Sequence, residues 1–259
     1  MIKRQLPNAL TLSNLLCGIV AIVALLAGHN SVIAALLILL GAFFDFFDGL
    51  VARLLKVEGA IGKELDSLAD VVTFGVAPSL IAMTYACGGS NYYLFGTDYW
   101  MSDTNYWCFI PLIMALMSAY RLAKFNIDTR QTNSFLGVPT PLNAVLWLSL
   151  PLIEHLSFFK VHLWGWYDER FYDFVASAVT NQWFIIVGSV IMAAMLVIEV
   201  PMLALKFKNV GWSGNKARFV FIMVALALLL VMNIYALPFI VIAYVGISLA
   251  DAWFKKKEN

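Results

Sequence analysis

The sequence predicts an all-α, polytopic membrane protein, and three observations support this fold class. Hydrophobic residues make up 62% of the 259 positions and charged residues only 13%, against about 45–50% and about 25% in soluble domains. The mean hydropathy is +0.83, so the chain has more apolar surface than a soluble core of this length needs to bury. The apolar runs are long and continuous, which favours membrane helices over the short alternating strands of a β-barrel.

Eight candidate spans follow one another in a single membrane domain, residues 1–259. They cover residues 10–27, 32–55, 62–86, 107–123, 141–156, 182–200, 217–232 and 235–253. Several approach the ~20 residues that a helix needs to cross a bilayer. The last two are so close in sequence that they must form a tight hairpin. We expect the catalytic core within about residues 1–200, followed by the two C-terminal helices at about 217–253.

The positions of the lysines and arginines predict the orientation. Fifteen of the 17 basic residues fall in one set of connections or at the two ends, and only Lys160 and Arg170 fall on the other side. Because cytoplasmic loops carry the excess of Lys and Arg, both termini are expected in the cytoplasm. Residues 88–106 and 157–180 would then be two long outer loops. The first span lacks a clear signal-peptidase site, so we expect it to be retained.

Neither the net charge nor the cysteines indicate a particular partner or cofactor. The formal net charge is +1, which gives no sign of nucleic-acid binding. The three cysteines, Cys17, Cys87 and Cys108, form no close-spaced pair, so the sequence predicts neither a zinc site nor a disulfide framework. We expect all three to be small apolar packing residues.

Two acidic helix faces lie where the second and third predicted spans meet. At about 100° per residue, one face combines two carboxylates with small and basic side chains: Asp45, Asp48, Gly49, Ala52 and Arg53. On the next helix, positions i, i+4 and i+8 share a face and are occupied by Gly62, Asp66 and Asp70. Charges at membrane depth are costly and usually mark ion paths, proton relays or metal sites.

Three interpretations of these four aspartates are open at this point. They could pair with the nearby Arg53, Lys56 and Lys63, although three basic residues cannot neutralise four acids and leave a functional face open. They could line the path of a cation transporter. They could instead hold Mg²⁺ or Mn²⁺, and two such ions about 3.5–4 Å apart would clamp a diphosphate. The last interpretation is favoured, because Gly49 and Gly62 leave space for a substrate and Arg53 can pair with phosphate.

The residues from Asp45 to Asp70 match, at every fixed position, the signature Asp-x2-Asp-Gly-x2-Ala-Arg-x8-Gly-x3-Asp-x3-Asp of the CDP-alcohol phosphotransferases. The chain therefore resembles integral-membrane enzymes that attack a CDP-linked lipid with an alcohol and release CMP. The resemblance implies that the four aspartates hold two metal ions, that Asp70 is also the general base, and that the protein forms a homodimer. The residues assigned to the CDP moiety on these two faces are Gly49, Ala52, Arg53 and Gly62.

Three further segments indicate which branch of the family the chain resembles, and therefore which acceptor alcohol to expect. Residues 7–18 (PNALTLSNLLCG), 118–126 (SAYRLAKFN) and 137–141 (GVPTP) resemble the integral-membrane branch of the family that uses CDP-diacylglycerol and L-serine. In the first segment, Asn8 and Thr11 either cap the first helix or approach the nucleotide.

The second of these segments, residues 118–126, contains the residues that are candidates for binding the acceptor. Arg121, Lys124 and Asn126 are candidates for binding the serine carboxylate or a lipid phosphate. The alternative for Arg121 and Lys124 is a role in topology and contact with anionic headgroups. In the branch that the chain resembles, Arg is expected more often at the position of Lys124. Lysine keeps the charge but would lose a bidentate contact.

The function expected from this resemblance is the formation of phosphatidylserine and CMP by in-line attack assisted by two metal ions. The active site would lie at the cytoplasmic face of a cell membrane, most simply a bacterial cytoplasmic membrane. Glycerol-3-phosphate, inositol phosphate and choline are alternative acceptors, because Arg121 and Lys124 do not exclude a phosphorylated one. A cation transporter is a remote alternative, since it gives no reason for Gly49, Ala52 and Arg53 at their spacing.

Overall fold

The computed structural model describes residues 2–27, 30–57, 59–88, 106–127, 135–159, 168–203 and 215–258. These ranges contain ten α-helices: α1 (Ile2–Leu26), α2 (Ser31–Leu55), α3 (Ala60–Asp70), α4 (Ala77–Ala86), α5 (Ile113–Ile127), α6 (Thr140–Phe159), α7 (Glu169–Val179), α8 (Gln182–Val197), α9 (Lys216–Met232) and α10 (Leu237–Glu258). A π-helical segment, Val71–Val76, joins α3 to α4, and 3-10 turns at Tyr106–Leu112 and Asn233–Ala236 precede α5 and α10. Two short antiparallel strands, β1 (Phe135–Leu136) and β2 (Pro201–Met202), pair Phe135 with Met202.

Five helical stretches within the described ranges are long and apolar enough to cross a membrane, and six if the bent pair of α7 and α8 counts as one span. The five are Gln5–Leu26, Ser31–Leu55, Ala60–Ala86, Tyr106–Ile127 and Lys216–Lys255. The last stretch contains both α9 and α10, which pack against each other across a reversal at Asn233. The predicted hairpin is therefore present, and the all-α polytopic class is confirmed. The remaining predicted spans coincide with α6 and α8.

The segment 157–180, which we expected to be an outer loop, contains α7. Asp168 caps this helix, because its Oδ1 accepts hydrogen bonds from the backbone N–H groups of Arg170 and Phe171 at 3.0 and 3.4 Å. The buried face of α7 carries Tyr172 and Val175 at helical spacing. The expectation was wrong because the many aromatic residues concealed this short amphipathic pattern. The other predicted outer loop, residues 88–106, lies outside the described residues except at its two ends.

Cys87 and Cys108 form a disulfide, with their Cα atoms 4.9 Å apart. The expectation that all three cysteines are packing residues is therefore wrong for this pair, and Cys17 alone is free and buried. Cys87 follows the last residue of α4, and Cys108 lies in the turn before α5. Spacing in the sequence was a poor criterion here, because two successive membrane helices bring positions 21 residues apart to the same end of the bundle.

A short turn between α2 and α3 brings the two acidic faces together. Lys56 ends α2 in the left-handed conformation (φ 53°, ψ 44°), and its N–H bonds to the carbonyls of Ala52 and Arg53. Gly59 then starts α3 in an extended conformation. Because α1 packs along α2 and also against α3, the acidic faces are enclosed by three helices.

The third predicted span is interrupted directly after Asp70 by the π-helical segment. Pro78 has no N–H group and therefore cannot continue the α-helical ladder back to Phe74. Instead, the N–H of Ala77 bonds to the carbonyl of Val72, five residues earlier. Such π-segments rotate the following side chains relative to a continuous α-helix and frequently lie at functional sites.

Candidate active site

Three aspartates converge at the α2–α3 pair. One oxygen from each of Asp45, Asp48 and Asp66 lies within 4.8 Å of the others. Asp48 is only 6% exposed, and Asp45 and Asp66 are half-buried. Ionised carboxylates this close repel one another, and a divalent cation removes that repulsion by accepting their oxygens as ligands. These three residues could therefore hold a metal ion, and they form the one such group found in the described part of the chain.

Asp70 lies one turn beyond Asp66 on α3 and is separate from the group of three. Its side chain is 9% exposed and interacts with the carboxylate of Asp45. On its other side, Nδ2 of Asn14, a residue of α1, donates to Oδ1 of Asp70 at 3.4 Å. The structure thus places the fourth aspartate beside the other three, with a neutral hydrogen-bond donor of its own.

The basic residues nearest the aspartates bind elsewhere. Arg53 donates from Nε to the carbonyl of Gly49 at 2.9 Å, and Lys63 donates from Nζ to the carbonyl of Asn126 at 2.9 Å. Across the ranges that the structure describes, no ion pair joins the four aspartates to Arg53, Lys56 or Lys63. The interpretation of the aspartates as one half of structural ion pairs is therefore not supported.

A cavity of about 550 Å³ opens beside the aspartates, between α1, α2 and α3, within the range of small-molecule sites. Its walls include Asp48 and Asp66. They also include all six residues that we assigned to the CDP moiety: Asn8, Thr11, Gly49, Ala52, Arg53 and Gly62. A Cβ atom on Gly49 would meet no heavy atom within 4 Å, so the missing side chain leaves open space in this wall.

The first helix contributes one wall of the cavity. Since α1 begins at Ile2, Asn8 and Thr11 lie inside the helix, and their interpretation as helix caps is wrong. Oγ1 of Thr11 lies 2.5 Å from Oδ2 of Asp48, and Oδ1 of Asn8 lies 3.5 Å from the position of a Cβ on Gly62. Both residues therefore face α2 and α3 at the point where the cavity opens.

Arg121 is the acceptor candidate that the structure places near the aspartates. Its side chain is buried, at 8% exposed, and it interacts electrostatically with Asp70. Nη1 donates to Oγ1 of Thr140 on α6 at 3.4 Å, whereas Nε has no hydrogen-bond partner. A buried guanidinium with an unused donor is well suited to bind a carboxylate or a phosphate.

The other two acceptor candidates make contacts between helices. Lys124 forms an ion pair with Glu199 at 2.5 Å. Asn126 donates from Nδ2 to Ser67 at 3.0 Å and to Glu64 at 3.3 Å. These contacts fasten the end of α5 to the segment after α8 and to α3, and the structure does not bring the two polar groups to the aspartates.

Sequence reasoning did not find two residues close to this site, Asn14 and Thr140. Asn14 follows Thr11 by three residues, so its position on the same side of α1 was available as a signal. Thr140 is the first residue of α6, and its contact with Arg121 joins two helices that are separated by a segment outside the described ranges. No pattern within either helix indicated that contact.

Comparison with known proteins gives the family. A family model of CDP-alcohol phosphatidyltransferase matches residues 4–167, which is more than half of the chain. The chain belongs to the CDP-alcohol phosphatidyltransferase family. The matched range contains α1 from Arg4 onward, all of α2 to α6 and every aspartate of the site. Helices α7 to α10 lie beyond it.

The names of several relatives of this family member include the acceptor substrate or the lipid product. The chain is 31% identical over 235 residues to the CDP-diacylglycerol–serine O-phosphatidyltransferase of Helicobacter pylori (strain 26695), which covers 89% of this chain and 84% of the relative. It is 40% identical over 136 residues to the Bacillus subtilis (strain 168) protein of the same name, covering 52% of this chain and 69% of the relative. It is also 31% identical over 178 residues to the archaetidylserine synthase of Methanothermobacter thermautotrophicus, covering 68% of this chain and 65% of the relative.

Proposed function

We propose that this protein transfers the phosphatidyl group of CDP-diacylglycerol to the hydroxyl of L-serine, giving phosphatidylserine and CMP. The observation that carries the proposal is the group of Asp45, Asp48 and Asp66, which opens onto a cavity of about 550 Å³ lined by Gly49 and Arg53. Carboxylates, space against the backbone and a guanidinium are the parts that a metal-bound diphosphate requires. The names of the relatives support L-serine as the acceptor.

The aspartates would hold two divalent ions, Mg²⁺ or Mn²⁺, with Asp70 as the fourth ligand. Hard cations of this kind prefer carboxylate oxygens, and the three converging side chains fit that preference. When bound, the ions would neutralise charge on the diphosphate and on the departing CMP. Thr11, through its contact with Oδ2 of Asp48, would keep that ligand oriented.

The cavity would hold the CDP moiety. Nε of Arg53 bonds to Gly49 within the helix, which leaves the two terminal nitrogens of the guanidinium for a bidentate contact with phosphate. Gly49, Ala52 and Gly62 would let the diphosphate approach the backbone. Asn8, on the opposite wall, would approach the nucleotide from α1.

Asp70 would accept the proton of the serine hydroxyl while that oxygen attacks the β-phosphorus of CDP-diacylglycerol. The new oxygen–phosphorus bond forms as the bond to CMP breaks, in line with it. A carboxylate is a sufficient base, because a loose phosphoryl-transfer transition state needs little early proton removal.

Arg121 would bind the serine carboxylate. Its burial, its unpaired Nε and its interaction with Asp70 support this role. Lys124 and Asn126 would reach a lipid phosphate only by exchanging their contacts with Glu199 and Ser67.

We further propose that the protein is a multi-pass protein of a bacterial cytoplasmic membrane with its active site at the cytoplasmic face. The distribution of basic residues supports this orientation. The Cys87–Cys108 disulfide supports it independently, because at 1.5 Å per residue it lies roughly 25 Å along the helix from Asp70, and disulfides persist on the oxidising side of such a membrane. Residues 1–200 would form the catalytic core, and the family resemblance implies a homodimer, which the mass of the detergent-solubilised protein would check.

A panel of acceptors tests the proposed reaction. Purified protein in mixed micelles with CDP-diacylglycerol and Mg²⁺ or Mn²⁺ would be given radiolabelled L-serine, glycerol-3-phosphate, inositol phosphate or choline. CMP release and labelled lipid are expected with L-serine. Absence of CMP release with L-serine would overturn the proposal, and a labelled lipid from another acceptor would reassign the chain within its family.

A further inference from the structure

We propose that Asn14 is a positioning residue that holds one oxygen of Asp70, so that the other oxygen is directed to the acceptor hydroxyl. Asn14 is fully buried in α1, at 0% exposed, and its Nδ2 donates to Oδ1 of Asp70 at 3.4 Å. Its own Oδ1 has no hydrogen-bond partner. In the described part of the chain, the bond to Asp70 is therefore the one hydrogen bond that the Asn14 side chain makes. This inference rests on the proposed function.

Two glycines hold the backbone of Asn14 against the π-helical segment. Oγ1 of Thr73 donates to the carbonyl of Asn14 at 3.0 Å. A Cβ on Gly41 would lie 2.9 Å from Oδ1 of Asn14 and 2.7 Å from Cγ2 of Thr73, and a Cβ on Gly18 would overlap Oγ1 of Thr73. Helices α1 and α2 and the π-helical segment therefore pack closely around Asn14, which leaves its amide little freedom to turn.

The π-helical segment ties Asn14 to the same stretch of chain that carries Asp70. Thr73 lies three residues after Asp70, so Asn14 is bonded to this stretch through its side chain at one point and through its carbonyl at the other. The carboxylate of Asp70, the last residue of α3, can still rotate about its own side-chain bonds. A donor fixed on a neighbouring helix selects one orientation.

The proposed proton transfer to Asp70 requires that its carboxylate is held in one orientation. Asp70 is not one of the three converging carboxylates, and its contact with Asp45 does not determine which of its two oxygens faces the acceptor. An amide N–H can bond to one carboxylate oxygen and cannot remove a proton from the other. Asn14 therefore fixes the position of Oδ1, which would keep a second lone pair for a metal ion. Oδ2 is left to accept the proton of the serine hydroxyl.

The test is a comparison of Asn14→Leu, which has a similar size and no donor, with the wild-type protein. We expect kcat to fall by about 10²-fold, the usual effect of misplacing a catalytic group by about 1 Å. The KM for CDP-diacylglycerol, the KM for L-serine and the affinity for Mn²⁺ measured by electron paramagnetic resonance should stay within about twofold of wild type. Ser189→Ala, which removes a fully buried polar group, the hydroxyl of Ser189, from α8, is the matched control and should change neither kcat nor KM.

Each outcome bears on the proposal. An unchanged kcat in Asn14→Leu overturns it, and so does a loss that appears as a higher KM or a weaker affinity for Mn²⁺, since either indicates a merely structural role. If Asn14→Leu does not fold, Asn14→Ser, which is smaller and cannot reach Asp70, is measured against the same criteria. A wild-type protein that does not use L-serine refutes the proposed function before any variant is compared, so the two failures are distinguishable.

Discussion

Substitution of Gly49 by alanine is expected to separate the stability of the protein from its affinity for the substrate. Gly49 lies in the interior of α2, where glycine is less favourable than alanine by about 0.5–1 kcal/mol. A Cβ at this position would meet no heavy atom within 4 Å, so the new methyl group causes no clash in the folded protein. The free energy of unfolding of Gly49→Ala should therefore rise by about 0.5–1 kcal/mol.

The same methyl group would project into the cavity that we assign to the CDP moiety. Gly49 forms part of the wall beside Asp48 and Arg53, where the diphosphate would approach the backbone most closely. Displacing the substrate from these contacts should weaken binding by about 1.4–2.8 kcal/mol, which corresponds to about a 10- to 100-fold increase in the KM for CDP-diacylglycerol. A more stable protein with weaker substrate binding is an outcome that general damage to the fold would not produce.

Gly246→Ala is the matched control for this experiment. Gly246 lies in the interior of α10, is exposed, and a Cβ added there would likewise meet no heavy atom within 4 Å. It should show the same gain in thermal stability, measured by intrinsic fluorescence in detergent, with unchanged kinetics. A wild-type KM for CDP-diacylglycerol in Gly49→Ala would refute the assignment of this wall to the diphosphate.

Three further predictions concern the aspartates and Arg121. Asp70→Asn should abolish transfer and retain binding of CDP-diacylglycerol, measured by equilibrium binding of the labelled lipid, because the amide cannot accept the proton; full activity would end its assignment as the base. Excess chelator should make the purified protein inert, and Mg²⁺ or Mn²⁺ should restore CMP release; activity that persists in chelator would contradict the metal assignment. Arg121→Lys should raise the KM for L-serine by about 10-fold and leave the KM for CDP-diacylglycerol unchanged, because lysine keeps the charge and loses the planar fork. An unchanged KM for L-serine would remove Arg121 from the acceptor site.

The parts of the site that lie within one helix could be predicted from the sequence. The helical repeat alone places Asp45 beside Asp48 and Asp66 one turn before Asp70. A charged face in an otherwise apolar span has few inexpensive explanations, so the sequence also predicts a functional role for it. The fold class followed from the same apolar runs, because helices satisfy their own backbone hydrogen bonds in lipid.

Contacts between helices were not accessible in this way. The disulfide between Cys87 and Cys108 depends on which helix ends meet, and no local pattern contains that information. The ion pair of Lys124 with Glu199 likewise joins α5 to a segment 75 residues further along the chain. In both cases the sequence offered a residue type with several plausible roles, and tertiary packing selected one of them.

The first helix shows why the family signature describes only part of the site. All the fixed residues of the signature lie between Asp45 and Asp70, on α2 and on α3. Yet Thr11 contacts Asp48, Asn14 contacts Asp70, and Asn8 faces Gly62, all from α1. These neutral polar side chains replace water around carboxylates that an apolar helix would leave poorly solvated. A two-helix acidic site at membrane depth thus requires a third helix with polar residues on one side, and α1 provides it.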